Sequence, residues 1–231
     1  MALLLSLETS SHFFSCALYA DGLMISYKES LVRQSTASML TVFINNLFEE
    51  TQLTKDQLSV VVISSGPGSY TGLRIGTSTA KGICYASQAK LIAVNTLELL
   101  TYQFLKLQSK IHTGQFLLCP MLDARRDEVY CALFSQDSTI IEKPNAKIID
   151  QKSFLKYLDQ CPIYFFGEGS AKCKKIITHP QAIFIDEINP SAAYLGEIGW
   201  QMFNSNKVES IEEFEPFYLK NFIVKKPITL S

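Results

Sequence analysis

The chain has 231 residues, 47% of them hydrophobic and 19% charged, with a formal net charge of −1. That length suffices for one large domain or two lobes with buried cores. The near-zero charge gives no basis for gripping nucleic acid or an acidic membrane unaided, so any RNA contact is expected to come through a partner. Six cysteines (Cys16, Cys84, Cys119, Cys131, Cys161 and Cys173) form no C-x-x-C pair and lie mostly in apolar runs, as expected of buried, reduced thiols. Leu3-Leu4-Leu5 is too short for a signal peptide and is soon followed by Glu8. No apolar run is long enough to span a bilayer, and a cytoplasmic protein is expected.

Taken in order, Leu3–Leu7, Ser15–Tyr19 and Met24–Tyr27 read as strands of an antiparallel meander, the last two joined by Asp21-Gly22. Ser35–Glu50 reads as a helix with Leu40, Phe43, Leu47 and Phe48 on one face. Val60–Ser64 is a buried strand, Leu91–Val94 another, and Thr96 is placed to cap a helix carrying Leu97, Leu100, Phe104 and Leu107. The second half repeats the idiom. Phe116–Leu122 and Val129–Phe134 read as hairpin strands around Asp123-Ala124-Arg125-Arg126, and Ile163–Phe166 and Ala182–Ile185 as further strands. Helices are expected near Ser153–Leu158, Ser170–Ile177 and Ser191–Phe203, the last with Asn189 as N-cap and Pro190 as first helical residue. The pattern predicts two related α/β lobes, residues 1–110 and 111–231, joined near Gln108–Gly114, with the last helices packing back on the first lobe.

Ser64–Gly82, SSGPGSYTGLRIGTSTAKG, is the most informative stretch. It is a strand, a tight Gly66-Pro67-Gly68 turn and a helix in which Gly72, Gly76, Ala80 and Cys84 fall four apart on one ridge. Each helical glycine sacrifices about 1 kcal/mol of propensity relative to alanine, so a smooth face is called for. The spacing matches neither G-x-G-x-x-G nor the P-loop, which weakens a phosphate-binding reading and leaves internal packing and a helix–helix interface as alternatives.

Leu4-Leu5-Ser6-Leu7-Glu8-Thr9-Ser10, the run from Gly66 to Gly76, Met121–Tyr130 and Pro216–Lys220 together resemble the TsaB (YeaZ) family, in order across nearly the whole chain. The resemblance implies a two-lobed actin-like ATPase fold (ASKHA, ribonuclease H-like). It implies a non-catalytic scaffold that binds TsaD in forming N6-threonylcarbamoyladenosine at position 37 of ANN-decoding tRNAs. It also implies TsaD-like and TsaE-like partners, a homodimer when the chain is alone, and tRNA bound only through the complex. The helices Ser35–Glu50 and Thr71–Ala86 are then the expected docking face, and Leu40, Phe43, Leu47, Gly72, Leu73, Gly76 and Ala80 its interface residues.

The rival reading is an enzyme, a glycoprotease-like endopeptidase or a stand-alone ATPase. His12, His112 and His179 are far apart, Val32–Ser38 contains no histidine, and no H-E-x-x-H or G-x-S-x-G motif occurs, so neither a metal site nor a catalytic residue is assigned. Glu8 stands where this fold's ATPases place an acidic residue, and Gly167-Glu168-Gly169-Ser170 is the remaining candidate nucleotide loop, with a plain connecting loop as its alternative. ATP is expected, if anywhere, within the partner complex. Asp123 and Arg125 are held equally as a turn ion cluster or a partner contact. Lys220, Lys225 and Lys226 among Phe217, Tyr218 and Phe222 are too few basic residues to mark a nucleic-acid site.

Overall fold

Every residue of β1 (Leu3–Glu8) is buried, because the strand lies in the middle of a sheet covered on both faces. In the computed structural model, which describes residues 1–30, 36–107 and 114–220 (side chains of 36–38 excepted), β1 pairs antiparallel with β2 (Phe14–Ala20), with Leu5 opposite Leu18. It pairs in parallel with β4 (Leu58–Gly66), with Leu5 opposite Val61. With β3 (Leu23–Ser30) and β5 (Lys90–Asn95) the sheet order is β3-β2-β1-β4-β5. Strict alternation sends Leu3, Leu5 and Leu7 to one face and Leu4 to the other. The first face is covered by α1 (Thr36–Thr51), through Leu40, Ile44, Leu47 and Phe48, and by α2 (Tyr70–Ser87), through Ala80 and Cys84.

The second half builds the same sheet again. β6 (Leu117–Asp123) pairs antiparallel with β7 (Glu128–Ser135) and in parallel with β9 (Ile163–Phe166). With β8 (Ile140–Ile148) and β10 (Ala182–Ile185) the order is β10-β9-β6-β7-β8. Numbered within its own half, each sheet therefore runs 3-2-1-4-5, a three-strand meander followed by two parallel strands. Two such lobes in one chain make the actin-like, ribonuclease H-like α/β architecture. Short helices α4 (Leu155–Leu158) and α5 (Ser170–Cys173) lie on the face that buries Cys119, Met121 and Cys131.

The lobes are tied by exchanged helices. α3 (Thr96–Leu107) comes after the first sheet, yet Leu97, Leu100 and Phe104 are buried against Leu118, Phe134, Tyr164 and Phe166 of the second. The Phe104 ring stacks on Phe166 with centroids 4.3 Å apart. Conversely α6 (Ala192–Asn204) comes after the second sheet and covers the first, burying Ala192 and Leu195 on Leu4, Tyr19 and Val62. Ser6 Oγ donates to Ala192 O at 2.7 Å and Ala192 N to Ser15 Oγ at 2.9 Å, fixing the start of α6 on β1 and β2.

Three expectations need correcting. Thr96 is the first residue of α3, and the cap is Asn95, whose Oδ1 accepts from Leu97 N at 2.9 Å. α6 is capped by Ser191, which accepts from Ala193 N at 3.3 Å, and Asn189 and Pro190 precede it outside the helix. The helix expected over Ser170–Ile177 ends at Cys173. The expected join at Gln108–Gly114 lies outside the described residues except for Gly114. Because α3 completes the core of the second sheet, Phe104→Ala should lower the free energy of unfolding by about 3–5 kcal/mol, measured by urea titration. A loss under about 1 kcal/mol would mean that α3 is peripheral.

Candidate functional site

β1 ends at Glu8, and the next loop folds back on itself. Glu8 Oε1 accepts from Ser10 N at 2.6 Å and from the Ser10 hydroxyl, and the carboxylate is buried. Its Oε2 and the buried Ser64 Oγ on β4 make no bond of good geometry among the described residues, although the Ser64 hydroxyl faces the same carboxylate and helps to hold its charge. Burial pushes the Glu8 carboxyl above its usual range despite the Ser10 hydrogen bonds that oppose the shift. Glu8 is thus turned into its own loop.

The same loop explains the glycine ridge. A Cβ at Gly68 would overlap Ser10 O, one at Gly72 would overlap Thr9 O, and one at Gly76 would overlap Thr9 Oγ1. Ser69 N donates to Ser10 O at 2.6 Å, and Ser69 Oγ caps α2 by accepting from Gly72 N at 3.3 Å. The smooth side of α2 is therefore filled by the chain's own Thr9–Ser10 segment, its backbone at Gly68 and Gly72 and the Thr9 side chain at Gly76. The residues of the expected interface set lie mostly inside the chain. Leu40, Leu47, Gly72, Leu73, Gly76 and Ala80 are buried within the chain, and Phe43 is half-buried with its ring 5.3 Å from Phe14. The ridge is a close-packing surface whose occupant is a loop of the same chain.

The side of α2 that remains open is a different stripe. Thr71, Arg74, Ser78, Gly82 and Tyr85 are exposed, and a Cβ at Gly82 would meet nothing within 4 Å. Tyr85 is 83% exposed, a large ring at the end of the stripe. On the adjoining α1, Val42 is also exposed.

The second lobe brings its own hairpin and glycine turn together. Cβ atoms at Gly167 and Gly169 would overlap Met121 O and the Leu122 backbone, so these glycines let the turn pack closely on β6. Asp123 accepts from Lys172 Nζ at 2.6 Å and from Arg125 N at 2.9 Å. Burial would raise its pKa, but Lys172 and the Arg125 amide outweigh it and hold the carboxyl below its usual range. Lys172 also donates to Arg126 O at 2.9 Å and to Glu128 O, bracing a turn in which Arg125 and Arg126 both have positive φ, 68° and 52°. Asp123 is thereby a structural ion pair, and Arg125 is an exposed side chain on a braced turn. Glu168, half-buried between this turn and the His12 loop, has its pKa raised by burial and by the Asp123 charge, with His12 opposing.

Among the described residues no three His, Cys, Asp or Glu side chains converge as metal ligands; His112, Phe222, Lys225 and Lys226 lie outside those residues. A groove of about 520 Å³ that sequence reasoning missed lies between the β2–β3 turn, α3 and α6. Three of its polar groups are spent on one another, with Tyr102 donating to Glu197 at 2.7 Å and Lys106 at 3.3 Å from the same carboxylate.

Two measurements check this geometry. Gly72→Ala should destabilise the fold by about 1–3 kcal/mol through overpacking. Gly82→Ala, in open space, should stabilise it by up to about 1 kcal/mol. Equal effects at both positions would refute the packing assignment. For Glu8, the unfolded carboxyl titrates near 4.5 and the folded one above it. The folded chain holds that proton more tightly, so this contribution is full below the unfolded pKa and is lost as pH rises through the folded pKa. Glu8→Gln removes the loss while keeping an acceptor for Ser10. Its urea midpoint relative to wild type should shift upward as pH rises above the carboxylate range, whereas a constant difference would show that Glu8 titrates normally.

Comparison with known proteins places this architecture. The family model "TsaD: tRNA N6-adenosine threonylcarbamoyltransferase" matches residues 30–224. The tRNA threonylcarbamoyladenosine biosynthesis protein TsaB of Bacillus subtilis is 27% identical over 178 residues, covering 75% of this chain and 74% of that protein. TsaB of Escherichia coli is 23% identical over 236 residues, covering 97% of each. The solved structure of YeaZ from Pseudomonas aeruginosa superposes with a TM-score of 0.79 at 22% identity, over 95% of this chain and all of the other, and shows the same fold. The family match spans both lobes, and with these relatives it shows that the chain belongs to the TsaB (YeaZ) family, within the TsaD-related group of tRNA-modification proteins.

Proposed function

We propose that this chain is the non-catalytic scaffold subunit that binds and supports a TsaD-type transferase in forming N6-threonylcarbamoyladenosine at position 37 of ANN-decoding tRNAs. The observation that carries the reading is the division of α2 into two sides. One is closed by Thr9, and the other is an open stripe in which Thr71, Ser78 and Gly82 flank Arg74 and which ends in the exposed Tyr85. A helix of a second protein can approach such a stripe closely, and α1 widens the surface with Val42. A TsaD-type protein is the assigned occupant, with a second copy of this chain taking its place when it is absent. An isologous dimer through one helical face suits that substitution when the two proteins share a lobe design.

A passive chemical role is supported by Glu8, whose carboxylate is folded onto Ser10 in the position where a catalytic acid would face a nucleotide. ATP and tRNA are accordingly assigned to the assembled complex, and a TsaE-type ATPase to the same assembly. Ser78→Arg and Gly82→Arg place bulk on the open stripe without touching the core. Each should abolish co-purification with the TsaD-type partner without lowering the stability of the isolated chain by more than about 0.5 kcal/mol, and Gly82→Arg gains helix propensity. Retained binding by both folded variants would overturn the assigned face. Mass spectrometry of bulk tRNA after depletion of the chain should show loss of the modified nucleoside, and an unchanged level would overturn the role.

A further inference from the structure

After α6 the chain does not return to its own sheet. Glu209 N donates to Leu91 O at 2.8 Å, making an antiparallel bridge on β5. Ile211 and Phe214 pack on the core beneath α1 and α2, and Lys81 Nζ donates to Glu212 O at 3.2 Å. Phe217 N then donates to Ser65 O at 2.7 Å, at the end of β4. Gly66 has no room for a side chain because a Cβ there would lie 2.6 Å from Phe217 O. Tyr218 packs its ring 4.9 Å from that of Tyr70, whose face also carries Arg74 at 4.8 Å. Only then does the segment cross to the other lobe, where Lys220 pairs with Glu128 and donates to Ala124 O at 3.5 Å.

We propose that Glu209–Lys220 is a locking strap, anchored along the first lobe and bolted by Lys220 to the β6–β7 turn, that fixes the angle between the two lobes. α3 and α6 already join the sheets through their buried faces. The strap adds a further tie, away from those helices, between the Gly66 turn of the first lobe and the Asp123–Glu128 turn of the second. A tie set apart from the helices resists rotation about them. The bolt is placed to matter, since Lys220 holds both a side chain and a main-chain carbonyl of the braced turn. The inference goes beyond the scaffold assignment and stands without it.

The test uses the full-length chain, with amide hydrogen exchange and a spin-label distance between Asn45 on α1 and Gln160 in the second lobe. Lys220→Met removes the bolt, and Tyr218→Ala removes the ring anchor on the first lobe. Each should accelerate exchange of the Phe217 amide and of the β6–β7 turn together, by up to about fivefold for a half-exposed ion pair, and should broaden the distance distribution. Lys220→Arg should restore wild-type behaviour. The proposal is overturned if each variant perturbs only its own end, or if the inter-lobe distance distribution is unchanged in both. Exchange of α3 amides at wild-type rates will show that neither variant acts by unfolding. Should Lys220→Met fail to fold, Glu128→Gln removes the same pair from the other side and carries the same expectations.

Discussion

The close approach of one backbone segment to one helix organises the first lobe. Thr9 and Ser10 lie so near the first turns of α2 that Gly68, Gly72 and Gly76 have no space for a Cβ. That contact seats α2 against the end of β1, and with it the Gly66 turn that receives the strap. It also decides where Glu8 goes, because a loop pressed against α2 leaves its carboxylate to be satisfied by the loop's own Ser10. The open stripe on the far side of α2 is the geometric complement of the same contact. A helix pinned along one ridge must present the opposite ridge to solvent or to a partner.

The second lobe meets the same requirement with fewer residues. Gly167 and Gly169 press on Met121 and Leu122 as the α2 glycines press on Thr9 and Ser10. In both lobes the turn after the fourth strand is thus seated on the first hairpin by missing side chains. The two solutions differ in the helix that each turn opens. α2 continues for 18 residues and offers a surface, whereas α5 stops after four and offers none. The proposed docking role therefore falls on the first lobe.

Much of this was legible in sequence because the periodicities are strong. β1, β2, β4 and β9 are apolar runs bounded by turns, and the repeated meander-then-alternation pattern announced two related lobes. β8 was missed because Lys143, Pro144 and Asn145 interrupt any alternation, and an edge strand with mostly half-exposed residues needs none. The caps were misplaced by one or two residues, since Asn95 and Thr96 both suit the position and only the side-chain geometry separates them. The glycine ridge was visible as smoothness, but smoothness does not name its neighbour. Thr9 lies more than sixty positions from Gly72, and nothing local to either residue encodes their contact. The path of Glu209–Lys220 was hidden for the same reason, its anchors being single contacts spread over both lobes.

The exchange of α3 and α6 has a consequence for biosynthesis. The inner face of the first sheet, with Leu4, Tyr19 and Val62, is covered by a helix that begins at Ala192. The hydrogen bond from Ser6 to Ala192 closes a loop of 186 residues, among the longest the chain can make. As the polypeptide leaves the ribosome, β1 to β5 can assemble with α1 and α2, but one apolar face of that sheet stays open until most of the chain has been made. Such late closure makes folding slow and leaves the nascent first lobe sticky. A chain built this way leaves an apolar sheet face uncovered for longer during synthesis than a sheet closed by neighbouring sequence would.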